Sequence, residues 1–263
     1  MFQRAIGWAL WLLLASQCRA ADPKEALAPT GTLRATFLGS NPAQGRVDAA
    51  SGVITGPVAE MVQEISRRLG VPFRITPSAD VRGVMDAIKT HAADLGFLAF
   101  DATRAMEVDF SQPYALAYNS YIVLAGSALK SAADIDRVGV RIAAPKGDSG
   151  ELYLSRTLRQ AELNSIQGLN ADAAQKMLTT GEIDAYATNR QRLSEMAAKF
   201  PGLRLLPDNF FAVEQAMIVA TGNATAVSFL DEFIDAVRAS GFLKAMIDQA
   251  KLSGVEAAPP RQR

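Results

Sequence analysis

Two stretches of this chain share one order of residues: MDAIKTHAADLGF, starting at Met85, and QKMLTTGEIDAYA, starting at Gln175. In each, the end of an amphipathic helix meets a polar turn, then an aspartate (Asp94 or Asp184), then a short apolar run of strand length. A helix that covers the strand it feeds is the repeating unit of an α/β sheet. A chain that carries the unit twice is expected to form two lobes. Ligands of such sheets sit beyond the carboxyl ends of the strands, which here means a cleft between the lobes.

The flanking pattern extends both units. TLRATFLG reads as a first strand, and SNPAQGRVDAASG as a loop rich in turn formers. Pro57 then opens a helix whose stripe is Val58, Met61, Val62, Ile65 and Leu69, stopped by Gly70. PFRIT is a second strand, Val81, Val84, Met85 and Ile88 mark a second helix, and Asp94 opens the third strand. The order β-α-β-α-β predicts a mainly parallel sheet with covering helices. A second series runs through strand VRIAAP, turn KGDSGE, helix LYLSRTLRQAEL, strand SIQGL, helix ADAAQKMLTT, strand IDAYA and helix RQRLSEMAAKF, which Pro201 and Gly202 end. LRLL and EQAMIVATGN read as strands, and helices over 224–240 and 242–250 close the chain. The remainder, 253–263, is polar and Pro-rich and is expected to be a disordered tail.

Residues 94–114, DLGFLAFDATRAMEVDFSQPY, take a buried strand into a polar turn carrying Arg104, then into the short connection VDFSQPY. An arginine delivered just past the carboxyl end of a strand presents a planar, permanently charged fork to an anion.

Composition narrows the function. Lys+Arg and Asp+Glu balance at 27 each, so no net field draws the chain to nucleic acid. One His and one Cys exclude a zinc or iron–sulfur centre built from those ligands. At the N-terminus, MFQR precedes the apolar run 5–15 and the small residues of SQCRA, which is the layout of a secretory signal cleaved after Ala20. Gln17 before Cys18 argues against a lipoprotein signal.

An ordered set of landmarks resembles the type II periplasmic solute-binding proteins of family 3, the group that binds polar amino acids. The landmarks are TGPVAEMVQEISRRLGV, MDAIKTHAADLGF, TR followed by VDFSQPY, RIAAPKGDSGE, TTGEIDAYATN and RASGFLKAMIDQ. The resemblance implies an α/β, two-lobed type II periplasmic-binding-protein (Venus-flytrap) fold with two hinge strands. Lobe 1 would hold 30–117 and 216–252, and lobe 2 would hold 122–211, with hinges near 118–121 and 212–215. It also implies a periplasmic, non-catalytic monomer without cofactor or metal. Such a protein hands a small solute to an inner-membrane ABC permease or reports it to a sensor receptor.

By the same resemblance Arg104 grips a ligand carboxylate. Ser149 and the backbone of Gly147 and Gly150 meet that carboxylate from lobe 2. Asp148, an awkward neighbour for an anion, has capping-box spacing to Glu151. The chain departs from the family pattern elsewhere. Asn189 stands where amino-acid binders place an aspartate for the α-ammonium. Phe97 and Ala99 stand at positions that are polar in the family. Phe37 takes an acidic position, with Ser40 or Asn41 near the family's aromatic platform. An ammonium closed in against neutral groups loses its charge-assisted partner. The expected solute is therefore a carboxylate, an organic acid or atypical amino acid, with an apolar part against Phe37, Phe97 or Phe100. Asn41 and Asn189 are its hydrogen-bonding partners. Two alternatives stand beside this: an enzyme like the cyclohexadienyl dehydratases, using Asp101, Asp148 or Glu151, and an accessory protein with a degenerate pocket.

Overall fold

The computed structural model describes residues 22–260. The expected signal segment and its cleavage site lie outside them. The first lobe starts with helix α1 (Pro23–Leu27) and strand β1 (Leu33–Leu38). The loop expected next holds a small hairpin, β2 (Arg46–Val47) and β3 (Ile54–Thr55). Helix α2 (Pro57–Leu69) follows, with Pro57 in its first turn and Gly70 left-handed at its C-cap, φ 62°. Then come β4 (Phe73–Ser78), α3 (Val81–Lys89) and β5 (Leu95–Ala99). β1 pairs in parallel with both β4 and β5.

The connection expected over 108–114 is instead the start of one long strand, β6 (Val108–Leu124). Proline inside a strand normally argues against one, because it gives no N–H to the ladder. Pro113 is tolerated because it sits where the partner strand is bulged, with register shifts on either side of Ala216.

The second lobe repeats the plan with β7 (Arg141–Pro145), α4 (Ser149–Thr157), β8 (Glu162–Ile166), α5 (Ala171–Thr179), β9 (Ala185–Asn189), α6 (Arg190–Lys199) and β10 (Leu203–Leu205). β7 pairs in parallel with β8 and β9. The helix expected from Leu152 starts earlier, at Ser149, so half of the expected turn is helical. β11 (Phe211–Ala220) returns to the first lobe, and α7 (Ala224–Ala239) and α8 (Phe242–Ala250) cover it. Apart from the β2–β3 hairpin the strands form one sheet, whose main path runs β4-β1-β5-β11-β6-β9-β7-β8 with β10 also paired to β6. Pairing is parallel within each lobe and antiparallel where β11 and β6 join them. Asn119 is the crossing point, since it pairs with Phe211 on one side and Asn189 on the other.

The sequence echo has a physical counterpart. Asp94 takes the backbone N–H and guanidinium of Arg34, at the start of β1, at 2.6–3.0 Å. Asp184 takes the same three groups of Arg141, at the start of β7, at 2.8–3.1 Å. Each aspartate thus ties the third strand of its lobe to the first. The turn before each is left-handed, at His91 (φ 57°) and Gly181 (φ 69°). These are partly exposed pairs, so they fix register more than they add stability.

The expected disordered tail is largely ordered. A short strand, β12 (Val255–Ala257), pairs with β6 around Leu116, and Ala258 is buried. The Ala258 N–H donates to the Tyr114 carbonyl at 3.0 Å, and Arg238 Nε donates to the Ala258 carbonyl at 3.0 Å. The polar composition hid these bonds because they use backbone, which any sequence supplies. Truncation after Leu252 is expected to cost on the order of 1–3 kcal/mol, the worth of a few lost hydrogen bonds. A lowered urea midpoint in the truncated protein checks this, and an unchanged one refutes it.

Candidate functional site

The carboxyl ends of the strands of both lobes, together with the two crossing strands, enclose a cavity of about 40 Å³. That is room for little more than a water or two, so admitting an organic molecule requires the lobes to part. Lobe 1 contributes Leu38 at the end of β1, Asn41 and Gln44 after it, Val81 at the start of α3, Leu98 and Ala99 from β5, and Arg104. Ala117 and Asn119 come from β6, and Val213 and Gln215 from β11. Lobe 2 contributes Asp148, Ser149, Asn189 and Arg192.

Arg104 sits in a single 3-10 turn (Arg104–Met106) just past β5 and is only 6% exposed. Its Nη1 donates to the Ala99 carbonyl at 2.7 Å, and its Nη2 reaches across the cleft to the Gly147 carbonyl at 2.7 Å. Gly147 is left-handed at φ 82°, a conformation glycine adopts without strain. Among the described residues no carboxylate comes within 4.0 Å of this guanidinium. Burial pulls its pKa below the ordinary arginine value, and the more distant charges of Asp101 and Asp148 oppose the shift. An arginine starts so high that it stays charged.

Asp148 is the residue before α4, but its side chain does not cap that helix. Its Oδ2 accepts from Arg192 Nη1 at 2.7 Å. Glu151 accepts from the Gly147 N–H, one residue before the N-cap, at 3.0 Å and from Ser165 at 2.6 Å. The expected capping box is therefore not formed, since Asp148 makes no cap bond and Glu151 reaches Gly147 instead of the N-cap N–H. The first turn of α4 is left without a side-chain cap, and its Ser149 is on the cavity wall. Gly150 lies just behind; a Cβ there would come within 2.9 Å of Asn119 Oδ1, which explains why the position is bare.

Asn189 ends β9 and uses its amide twice. Oδ1 caps α6 by accepting from the Arg192 N–H at 2.9 Å, and Nδ2 donates across the cleft to Asn41 Oδ1 at 3.1 Å. An aspartate here would still cap the helix but could not donate to Asn41. Further bonds join the lobes. Arg192 donates to the carbonyl and Oγ of Ser40 at 3.1 and 3.0 Å, and Arg156 pairs with Asp101 at 3.1 Å. Arg46 pairs with Glu195 at the rim.

Of the residues picked from sequence, Arg104, Ser149, Asn189, Asn41, Ala99 and Asp148 come together on the cavity, with Gly147 and Gly150 immediately behind it. The three phenylalanines do not. Phe37 and Phe97 are register partners in adjacent strands, so they share one face of the sheet, and both are fully buried in the lobe 1 core. Phe100 is 39% exposed and packs edge-on against Phe110, outside the cavity. Among the described residues no aromatic ring lines the wall. Asp101 and Glu151 also lie off it.

Sequence reasoning missed Gln44, Asn119, Arg192 and Gln215. Gln44 is buried, accepting from the Leu38 N–H at 3.0 Å and donating to the Phe97 carbonyl at 3.2 Å. Asn119 is 2% exposed, and among the described residues its Nδ2 has no hydrogen-bond partner. Arg192 lies three residues beyond Asn189, so one turn of helix brings it to the same face, a spacing readable in advance.

Among curated relatives, a probable histidine-binding protein of Campylobacter jejuni is 24% identical over 155 residues, which is 57% of this chain and 57% of that relative's length. Among solved structures, an amino acid ABC transporter substrate-binding protein, AbpA of Streptococcus pneumoniae bound to L-arginine, superposes with a TM-score of 0.72 at 23% identity, covering 86% of this chain and 97% of that one. The ancestral amino-acid-binding protein AncCDT-1, described as a precursor of cyclohexadienyl dehydratase, gives 0.72 at 19% identity, covering 87% and 99%. These structural likenesses show the two-lobed α/β fold. The model of the bacterial extracellular solute-binding proteins, family 3, matches residues 33–250, and the chain belongs to that family.

Proposed function

We propose that this chain captures a small carboxylate-bearing solute, an organic acid or an amino-acid relative, between its lobes in the periplasm and delivers it to an ABC permease. The observation that carries this is Arg104: a buried guanidinium on the cavity wall with no carboxylate partner among the described residues. Its uncompensated charge is matched by one anionic group on a ligand, through a charge-assisted, bidentate hydrogen bond. Ser149 and the uncapped first turn of α4 add donors from lobe 2, so a bound anion bridges the lobes and favours their closure. The binding roles named in the relatives, for histidine and arginine, are consistent with carboxylate capture.

A dehydratase reading needs a free acid or base near the leaving group. Asp148, the carboxylate on the wall, is tied to Arg192, and this favours capture over chemistry.

Thermal unfolding against a panel of amino acids and organic acids tests the proposal. A ligand at a hundred times its Kd should add about 2.7 kcal/mol to stability. A panel in which no carboxylate raises the midpoint, while some uncharged solute does, defeats it.

A further inference from the structure

We propose that Arg192 is a built-in cation that occupies the carboxylate of Asp148 and so selects solutes that carry a carboxylate but no α-amine. This rests on the capture reading above and names the solute class more narrowly. Among the described residues three charged side chains line the cavity: Arg104, Asp148 and Arg192. Asp148 and Arg192 neutralise each other at 2.7 Å and are shielded, with side-chain exposures of 20% and 17%. Arg104 is left as the unmatched charge, so the wall as built complements a single negative group.

The neutral groups point the same way. An ammonium needs acceptors, and three of the neutral ones at hand are already engaged. Asn41 Oδ1 accepts from Ala43 and Asn189, Asn189 Oδ1 accepts from Arg192, and Gln44 Oε1 accepts from Leu38. Among the described residues the buried side-chain group left without a partner is a donor, Asn119 Nδ2, beside Arg104 and Ser149 on the same wall. A buried donor beside an unmatched guanidinium suits a carboxylate better than an ammonium.

Nor is Arg192 easily pushed aside. Its Nη1 bonds Asp148, and its Nε and Nη2 hold the carbonyl and hydroxyl of Ser40 across the cleft. A solute ammonium that claimed Asp148 would have to break this pair and leave a shielded guanidinium without its counter-ion, which costs more than breaking a surface pair. Arg192 thus acts as a specificity determinant against amines.

Matched pairs with one carbon skeleton provide the test: pyruvate and L-alanine, 4-methyl-2-oxopentanoate and L-leucine, 2-oxoglutarate and L-glutamate. Calorimetry on the full chain should show at least one oxo acid binding about tenfold or more tighter than its amino partner, the worth of one charge-assisted hydrogen bond. Arg192→Gln frees Asp148 and should move that ratio about tenfold or more towards the amine. Adding Asp148→Asn should remove the gain, an effect that simple loss of packing would not produce. A wild-type protein that prefers the amino partners, with binding abolished by Arg104→Gln, overturns the inference and leaves capture intact. An Arg192→Gln ratio that stays put also overturns it. If every probe that binds is indifferent to Arg104→Gln, the capture reading itself falls, and if no probe binds, both fall.

Discussion

Arg104→Gln is expected to weaken binding of any carboxylate solute by about 2–5 kcal/mol, the range found when one partner of a buried charge pair is truncated. At about 1.4 kcal/mol per tenfold, that is a loss from roughly thirtyfold to several thousandfold in Kd. Glutamine keeps one amide donor but loses the charge and the second arm of the fork, so the bidentate geometry goes with it. The free protein should be affected far less. Among the described residues Arg104 bonds only two backbone carbonyls, those of Ala99 and Gly147, and burial already penalises its charged form. Removing a desolvated charge offsets the two lost hydrogen bonds. Calorimetry and thermal unfolding on the same preparation separate the effects: Kd should collapse while the unliganded midpoint moves by a few degrees at most. An unchanged Kd would remove Arg104 from the site.

Much of the architecture was legible because it is written in local patterns. The stripe of Val58, Met61, Val62, Ile65 and Leu69 needed only helical periodicity, and all five are buried as expected. The paired aspartates marked two equivalent units because each performs the same job, clamping an arginine at the start of β1 or β7. Arg104 could be picked out because its surroundings, a strand end and a polar turn, are local too. Features that depend on chain segments meeting from far apart were hidden. β12 shows no pattern of its own, and its strand character comes from the exposed edge of β6. Gln44 looks like any loop glutamine until the bonds to Leu38 and Phe97 make it the inner lining of lobe 1. Arg192 offers one local clue, its helical spacing from Asn189, but only the approach of Ser40 and Asp148 turns it into part of the cavity. The direction of a strand side chain failed for a related reason. Both faces of β1 and β5 are covered, so an aromatic near the strand end can point at the helices or at the cleft, and alternation does not say which.

Phe97 is where that ambiguity has the largest measurable consequence. As a ligand platform its loss would lower affinity and leave the fold nearly intact; as a core residue it does the reverse. The structure places it fully buried, edge-on to Tyr114 at 6.1 Å between ring centres, in the cluster that joins β1, α2 and α7. Phe97→Ala is therefore expected to cost about 3–5 kcal/mol, the transfer energy of the ring plus the cavity left behind. Against a typical net stability of about 5–15 kcal/mol, that brings the protein close to its unfolding threshold. Urea unfolding should show the midpoint falling sharply. The fraction still folded in dilute buffer should bind its solute with a Kd near the wild-type value, because Ala99 and Leu98, not Phe97, meet the cavity. Phe100→Ala is the control on the same segment: its ring is 39% exposed, so the change should stay within about 1 kcal/mol. If Phe97→Ala instead left the midpoint in place and weakened binding, the ring would belong to the cleft, and the registration of β5 against β1 would have to be redrawn.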